Sequence, residues 1–135
     1  MQEVQTIIDM QVDFAEFTRL LWWFVPKLAS ATICGAVIGF EREIKQLKAD
    51  YTLVGLKTVA LICSGACLFT AGSLMLASTN SMVDPSRIIS YVVGGIGFMG
   101  AGVIYKDSDR LRGATTAALV WVTTSIGIIA GMGYI

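Results

Sequence analysis

The sequence predicts an all-α membrane protein, a polytopic bundle of about four transmembrane helices preceded by an N-terminal interfacial helix. Hydrophobic residues make up 55% of the 135-residue chain and charged residues only 15%, which is too apolar for a soluble domain of this size. The charges lie mainly between four long apolar runs, each long enough to cross a hydrocarbon core of about 30 Å. We therefore treat residues 1–135 as a single transmembrane domain.

The N-terminal part predicts an interfacial segment followed by the first span. Residues 1–19 mix apolar and acidic positions, whereas 20–40 is apolar apart from Lys27. Proline is tolerated near a helix start, and a lysine near the end of a span can extend to the lipid headgroups, so Pro26 and Lys27 do not exclude a span. Gly35 and Gly39 form a GxxxG pair, a spacing that lets two helices approach closely.

Three further spans follow, at about 54–78, 85–105 and 113–135, separated by a polar turn and a basic connection. Asp84 can cap the third helix, and Pro85 suits its first helical position, where a missing N–H costs nothing. On the fourth span Gly127 and Gly131 repeat the GxxxG spacing. The third span therefore has a start signal and the fourth has a packing signal.

The third span contains a literal GxGxxG at 95–100. A dinucleotide-binding turn needs a preceding strand within a βαβ unit, and here the glycines lie inside an uncharged helix. We therefore expect neither nucleotide nor nucleic acid to bind, and we expect the glycines to serve helix packing. The predicted packing glycines are Gly35, Gly39, Gly94, Gly95, Gly97, Gly100 and Gly102. One narrow face of the third helix, predicted to line a groove, carries Asp84, Arg87, Tyr91, Gly95, Phe98 and Gly102.

Composition narrows the chemistry further. The chain has zero formal net charge and no histidine, which removes the most common general base and metal ligand. Its three cysteines lie in apolar runs without a second metal-binding motif, so we expect buried packing residues. We expect no catalytic residues and no cofactor, and the sequence leaves the question of a metal site open.

Lysine and arginine accumulate on cytoplasmic sides, and the connections after the first and third spans carry most of them. We therefore predict an N-outside topology, with 41–52 and 106–112 cytoplasmic. Glu41 and Arg112 would then lie at the same depth on neighbouring helix ends, and we expect them to pair, or to join a network with Arg42, because an unpaired charge near hydrocarbon is costly. Asp84 and Arg87 lie at the opposite end, where capping explains Asp84.

Five ordered motifs resemble the MgtC/SapB family of bacterial inner-membrane proteins. They are GAVIGFERE (35–43), VGLKT (54–58), DPSRI (84–88), GGIGFMGAGVI (94–104) and RGATTAA (112–118). The chain departs from the family pattern at Lys57 and Val59, where Arg and His are common, and at Tyr91 and Gly94, where Gln and Ser are common. Members usually continue into a fifth span and some into a soluble C-terminal domain. The sequence leaves open whether this chain is a truncation or a chain whose fourth span ends on its last residue.

The resemblance implies a multi-pass protein of the bacterial inner membrane, concerned with magnesium homeostasis, low-magnesium adaptation and virulence. It implies a homo-oligomer, most simply a dimer, and contacts with another membrane complex such as the ATP synthase. The motif residues carried over are Glu41, Arg42, Lys57, Thr58, Asp84, Arg87, Arg112, Thr115 and Thr116. Besides a non-enzymatic regulator acting through helix contacts, a Mg²⁺ transporter or channel subunit and an intramembrane enzyme remain as alternatives.

Overall fold

The computed structural model describes residues 14–46, 54–107 and 110–135. Most of the predicted interfacial segment and most of the connection after the first span, with Lys48, lie outside the described residues. Within the described part, four helices are long and apolar enough to cross a membrane. The predicted fold class, a bundle of four spanning helices, is confirmed.

Helix α1 runs without interruption from Phe14–Gln46. The helix is continuous across residue 20, where the sequence places the start of the span, and it continues past the predicted end of the span at Phe40. The division into an interfacial segment and a span stays a prediction. Pro26 lies inside the helix, well past the first turn, and not near its start as expected. Because the charged residues from Glu41 onwards are good helix formers, the helix extends beyond its apolar part.

Helix α2 is Leu56–Thr79, α3 is Pro85–Val103 and α4 is Ala114–Met132. The predicted start of α3 is confirmed: Asp84 is the N-cap, its side chain accepts a hydrogen bond from the Ser86 N–H at 2.9 Å, and Pro85 takes the first helical position. The turn 80–84 joins α2 to α3 at one end of the bundle. We call this the Asp84 end, and the other, which carries Arg42, Lys57 and Arg112, the basic end.

A short β-hairpin occupies the basic connection between α3 and α4. Strand β1 is Tyr105–Asp107 and strand β2 is Arg110–Arg112, paired antiparallel with Tyr105 opposite Arg112. The sequence analysis did not predict these strands, because three-residue strands are too short for a period-2 pattern to be distinguished from a loop. The hairpin keeps the polar connection compact at the basic end.

The centre of the bundle is α2, which packs against α1 and α4. The small residues of α1 and α4 make these contacts: a Cβ at Gly35 would lie 2.8 Å from Cys63 Cβ, one at Gly39 would lie 2.6 Å from Leu56 Cα, and one at Gly131 would lie 2.6 Å from the Cys67 carbonyl oxygen. Backbone approach of this closeness leaves no room for any side chain. The two GxxxG pairs are therefore packing sites within the chain.

Helix α3 lies at the periphery, although its glycine content suggested close packing. Only Gly100 is buried, with Ala117 of α4 at ordinary van der Waals distance from its Cβ position. A Cβ at Gly94, Gly95, Gly97 or Gly102 would meet no described atom within 4 Å. Any packing role of these four glycines therefore concerns a surface outside the described chain, and it stays a prediction.

The predicted orientation can be measured on two exposed side chains at opposite ends. Met82, in the turn before α3, is 92% exposed, and Leu111, in β2, is 69% exposed. We expect Met82→Cys to react with a membrane-impermeant maleimide in intact cells, and Leu111→Cys to react only after permeabilisation, because the basic end should be cytoplasmic. The wild-type protein supplies the background from its own cysteines. The opposite labelling pattern would refute the N-outside topology.

Candidate functional site

The basic end brings together three of the sequence motifs. The Arg42 guanidinium of α1 donates a hydrogen bond from Nη2 to the Thr115 carbonyl oxygen in the first turn of α4, at 3.2 Å. Next to it on α1, the Glu43 carboxylate accepts a hydrogen bond from the Leu56 N–H at 3.1 Å. A carboxylate at a helix N-terminus satisfies a free N–H and complements the helix dipole. The end of α1 is thus hydrogen-bonded to the starts of both α2 and α4.

Arg112 pairs within the hairpin and not with the predicted Glu41. Its Nε lies 3.0 Å from Asp107 Oδ2, and both side chains are about half exposed. An ion pair with this exposure contributes about 1 kcal/mol or less. The prediction failed because the hairpin places a carboxylate five residues away in sequence beside Arg112. Asp107 was the residue that sequence reasoning missed, and the readable signal for it is a carboxylate five residues before Arg112 in the same short connection.

The remaining motif residues at this end differ in accessibility. Glu41 and Lys57 are exposed, as is Thr58, whereas Thr116 is buried in the first turn of α4. Thr116 lies on the same side of α4 as Val120, which belongs to an apolar cluster with Val54 and Val59 of the α2 region. Thr116 therefore belongs to the packing of α4, and Thr58 and Lys57 are open to a ligand or to lipid.

Asp84 and Arg87 lie at the other end of the bundle, apart from the basic end. The side chain and the backbone N–H of Ser86 hydrogen-bond to the Asp84 carboxylate and lower its pKa below the usual value. The carboxylate is fully exposed and carries out the capping role that the sequence predicted. The nine motif residues therefore form two separate groups and not one site.

A cleft of about 710 Å³ lies between α2 and α3, and we call it the α2–α3 cleft. Thr124 of α4 lies at its base. Its α2 wall is formed by Thr58, Leu61, Ile62, Gly65, Ala66 and Phe69, and its α3 wall by Ile88, Tyr91, Val92, Gly95, Ile96 and Met99. The predicted groove on α3 is therefore realised in part: Tyr91 and Gly95 line the cleft, and Arg87, Phe98 and Gly102 are exposed outside it. Gly65, which lines the α2 wall as Gly95 lines the α3 wall, was not singled out from the sequence.

The opposite face of α3 carries a second surface. Ser90, Gly94, Gly97 and Ala101 follow one another at spacings of three and four residues, which places them on one side of a helix. All four are exposed. We call this surface the small-residue stripe. The stripe differs from the pairs Gly35/Gly39 and Gly127/Gly131. Helix α2 covers those two pairs, whereas no described residue covers the stripe.

Four buried polar side chains inside the bundle form hydrogen bonds within their own helices. Thr70, Ser73, Thr123 and Thr124 are buried, and each hydroxyl donates to a carbonyl three or four residues earlier in its own helix. Such bonds let hydroxyl side chains enter an apolar environment without another partner. Among the residues described by the structure, no group of three His, Cys, Asp or Glu side chains could hold a metal ion.

Comparison with known proteins agrees with the motifs. A model of the MgtC family matches residues 28–135. The chain belongs to the MgtC family. Relatives of this family include a protein named MgtC from Salmonella typhimurium, 40% identical over 118 residues, which cover 87% of this chain and 47% of that protein. Another MgtC, from Brucella abortus, is 38% identical over 80% of this chain and 42% of its own length.

An uncharacterised protein from Haemophilus influenzae is also similar, 42% identical over 81% of this chain and 47% of its own length. No solved structure matches the chain. The chain spans less than half the length of these curated relatives of the MgtC family. The match covers both glycine pairs packed on α2, the basic end from Arg42 onwards, and the whole of α3.

Proposed function

We propose that this protein is a non-enzymatic regulator of the bacterial inner membrane, concerned with magnesium homeostasis, and that it acts by binding another membrane protein or a second copy of itself through the small-residue stripe on α3. Family membership supports the physiological setting. One structural observation supports the mode of action: Ser90, Gly94, Gly97 and Ala101 present an open, nearly bare backbone on the side of α3 that faces away from the bundle.

The physical reason lies in what glycines do within a membrane. A glycine in a helix interior costs about 1 kcal/mol relative to alanine, and lipid provides no hydrophobic drive for helices to associate. Close backbone approach compensates for that cost, as it does for Gly35 and Gly127 against α2. On α3, the cost of the glycines is offset only if a helix from outside the described chain packs closely against them. The membrane ATP synthase and a second copy are the two partners that the family resemblance suggests.

The test is growth of a bacterial strain in which the native gene for this protein is deleted and the Gly97→Leu variant is expressed in its place. Because no described atom lies within 4 Å of the Cβ position, the variant should fold and reach the membrane at the wild-type level. We expect it to lose complementation of growth in low magnesium, by about tenfold or more in colony counts, since a leucine on the stripe keeps a partner helix at a distance. Cross-linking through Ser90→Cys, or co-purification of the partner, should fall in parallel.

Gly102→Leu is the matched control. Gly102 lies on the same helix, is exposed and has equally open space at its Cβ position, but it belongs neither to the stripe nor to the cleft. It should complement like the wild type. Equal growth and equal cross-linking of the Gly97 and Gly102 variants would refute the stripe as the contact surface.

Growth of this strain in low magnesium does not distinguish a regulator from a Mg²⁺ transporter. Transport therefore requires a separate measurement. Mg²⁺ is held by carboxylates, phosphates and water. Among the described carboxylates, those of Glu43, Asp84 and Asp107 are engaged in two helix caps and an ion pair at the bundle ends, and Glu41 makes an interaction of its own. We expect purified protein in liposomes to carry no Mg²⁺ flux above protein-free vesicles. A saturable flux would overturn the regulator proposal in favour of a transporter.

A further inference from the structure

The α2–α3 cleft lies on the other side of α3 from the small-residue stripe. From the shape, lining and charge of the α2–α3 cleft, we propose that it binds one anionic phospholipid of the leaflet at the basic end, with an acyl chain in the cleft and the phosphate at Lys57. The volume of about 710 Å³ lies within the roughly 300–1,000 Å³ typical of ligand sites. This inference does not depend on the proposed regulator function.

The length of the cleft argues for a lipid and against a transmembrane helix. The α2 wall extends from Thr58 to Phe69 and the α3 wall from Ile88 to Met99, each about 16 Å at 1.5 Å per residue. Half of a hydrocarbon core of about 30 Å is about 15 Å. A spanning partner helix would need a groove through both leaflets, whereas an acyl chain of one leaflet has this length.

The interior of the cleft suits an acyl chain. Its walls are aliphatic or aromatic over most of their length, and Gly65 and Gly95 replace side chains with open space at the middle of each wall. The hydroxyl of Thr124 at the base already donates to the Val120 carbonyl oxygen at 2.8 Å. No described group at the base therefore needs a polar ligand, and a hydrocarbon chain leaves none of them without a partner.

The mouth of the cleft supplies the charge. Lys57 precedes Thr58, the first residue of the α2 wall, and it is exposed in the first turn of α2. Glu43 binds the Leu56 N–H, but within the described residues no carboxylate lies within ion-pair distance of the Lys57 ammonium. Since acyl chains are equally apolar in the cleft and in bulk lipid, selectivity must come from the headgroup. One basic residue near the surface gives about a fivefold preference for an anionic lipid.

Photo-cross-linking tests this site with the purified full chain in phosphatidylcholine vesicles. The two probes are phosphatidylglycerol and phosphatidylcholine, each with a diazirine on one acyl chain, at low mole fraction. We expect cross-links to concentrate on residues 61–69 and 88–99, with about fivefold higher yield for phosphatidylglycerol. Lys57→Gln should remove that preference and keep the phosphatidylcholine cross-links. Arg87→Gln, next to Ile88 at the other end of the cleft, should leave the preference unchanged. Loss of the preference in the Arg87 variant would place the headgroup in the other leaflet and overturn the site at Lys57.

Two glycine variants on one helix separate the cleft from the rest of the lipid-facing surface. Gly95→Leu fills the cleft and should lower the cross-linking yield about tenfold, and Gly97→Leu, on the opposite face, should not change it. Gly65→Leu repeats the test from the α2 wall if the Gly95 variant is unstable. Equal labelling of all three variants and the wild type, or labelling spread evenly over α1, α3 and α4, would overturn the proposal. A loss of dimer in Gly95→Leu with unchanged lipid labelling would assign the cleft to a second copy instead.

Discussion

Replacing Gly127 with alanine is expected to destabilise the bundle more than the same substitution at Gly94, Gly95, Gly97 or Gly102 of α3. A Cβ at this position would overlap the Cys63 carbonyl oxygen of α2 and lie 2.9 Å from Ala66 Cβ. Neither obstacle is the flexible end of a side chain, so the two helices must move apart. Overpacking of this kind costs about 3 kcal/mol in the free energy of unfolding. The measurement is an unfolding titration with SDS in mixed micelles, followed by far-ultraviolet circular dichroism.

Gly72→Ala is the control for the Gly127 variant. Gly72 lies within α2, and a Cβ there would meet no described atom within 4 Å. The same substitution should therefore stabilise the helix by up to about 1 kcal/mol, since alanine is the better helix former. The two variants should shift the unfolding midpoint in opposite directions. A shared direction would mean that α2 and α4 do not approach as closely as the structure shows.

The sequence predicted best those features that depend on neighbouring residues. The cap of α3 by Asp84, the position of Pro85 and the four apolar runs all follow from local chemistry or from hydropathy, and the structure contains them. The hairpin at 105–112 and the Asp107 partner of Arg112 are also local, but segments of three residues carry too little pattern to be recognised. Local rules were therefore sufficient except where the elements are very short.

Partner choice between helices could not be derived in the same way. Glycine density predicted α3 as the closely packed helix, whereas the close contacts belong to Gly35, Gly39, Gly127 and Gly131 against α2. A glycine shows that a backbone can approach, but the helix that approaches must offer small side chains at the same depth. A matching series exists on α2, where Ala60, Cys63, Cys67 and Thr70 recur at intervals of three and four residues and Ala66 lies next to Cys67. That series was the readable signal for the central helix.

For the candidate site, the sequence selected residues at the correct ends of the helices but not their contacts. Arg42 was expected in a network with Glu41 and Arg112, and it binds a main-chain carbonyl of Thr115 instead. A main-chain carbonyl carries no formal charge, so a pattern of opposite charges does not predict it as the partner of an arginine. The cleft has a similar explanation, because its walls combine ordinary lipid-facing residues of two helices whose separation no sequence pattern specifies.

Gly113, between the hairpin and α4, should be the most sensitive residue of the basic end. Its φ is +89°, in the left-handed region that favours glycine, and a Cβ there would overlap the Val103 carbonyl oxygen and lie 2.8 Å from the Val103 carbonyl carbon. We expect Gly113→Ala to lower the free energy of unfolding by about 4 kcal/mol, from about 1 kcal/mol of backbone strain and about 3 kcal/mol of steric overlap. The same SDS titration measures it.

Gly133 separates the two contributions, because it shares the backbone conformation of Gly113 without its crowding. Its φ is +88°, and the nearest atom to a Cβ would be Cε of the flexible Lys27 side chain, at 3.3 Å. Gly133→Ala should therefore cost only the strain of about 1 kcal/mol. The difference between the two variants measures how tightly the end of α3 holds the start of α4, where Arg42 binds Thr115. Equal losses would show that the overlap with Val103 is relieved by a small shift of the hairpin, and that the α3–α4 junction is looser than its contacts indicate.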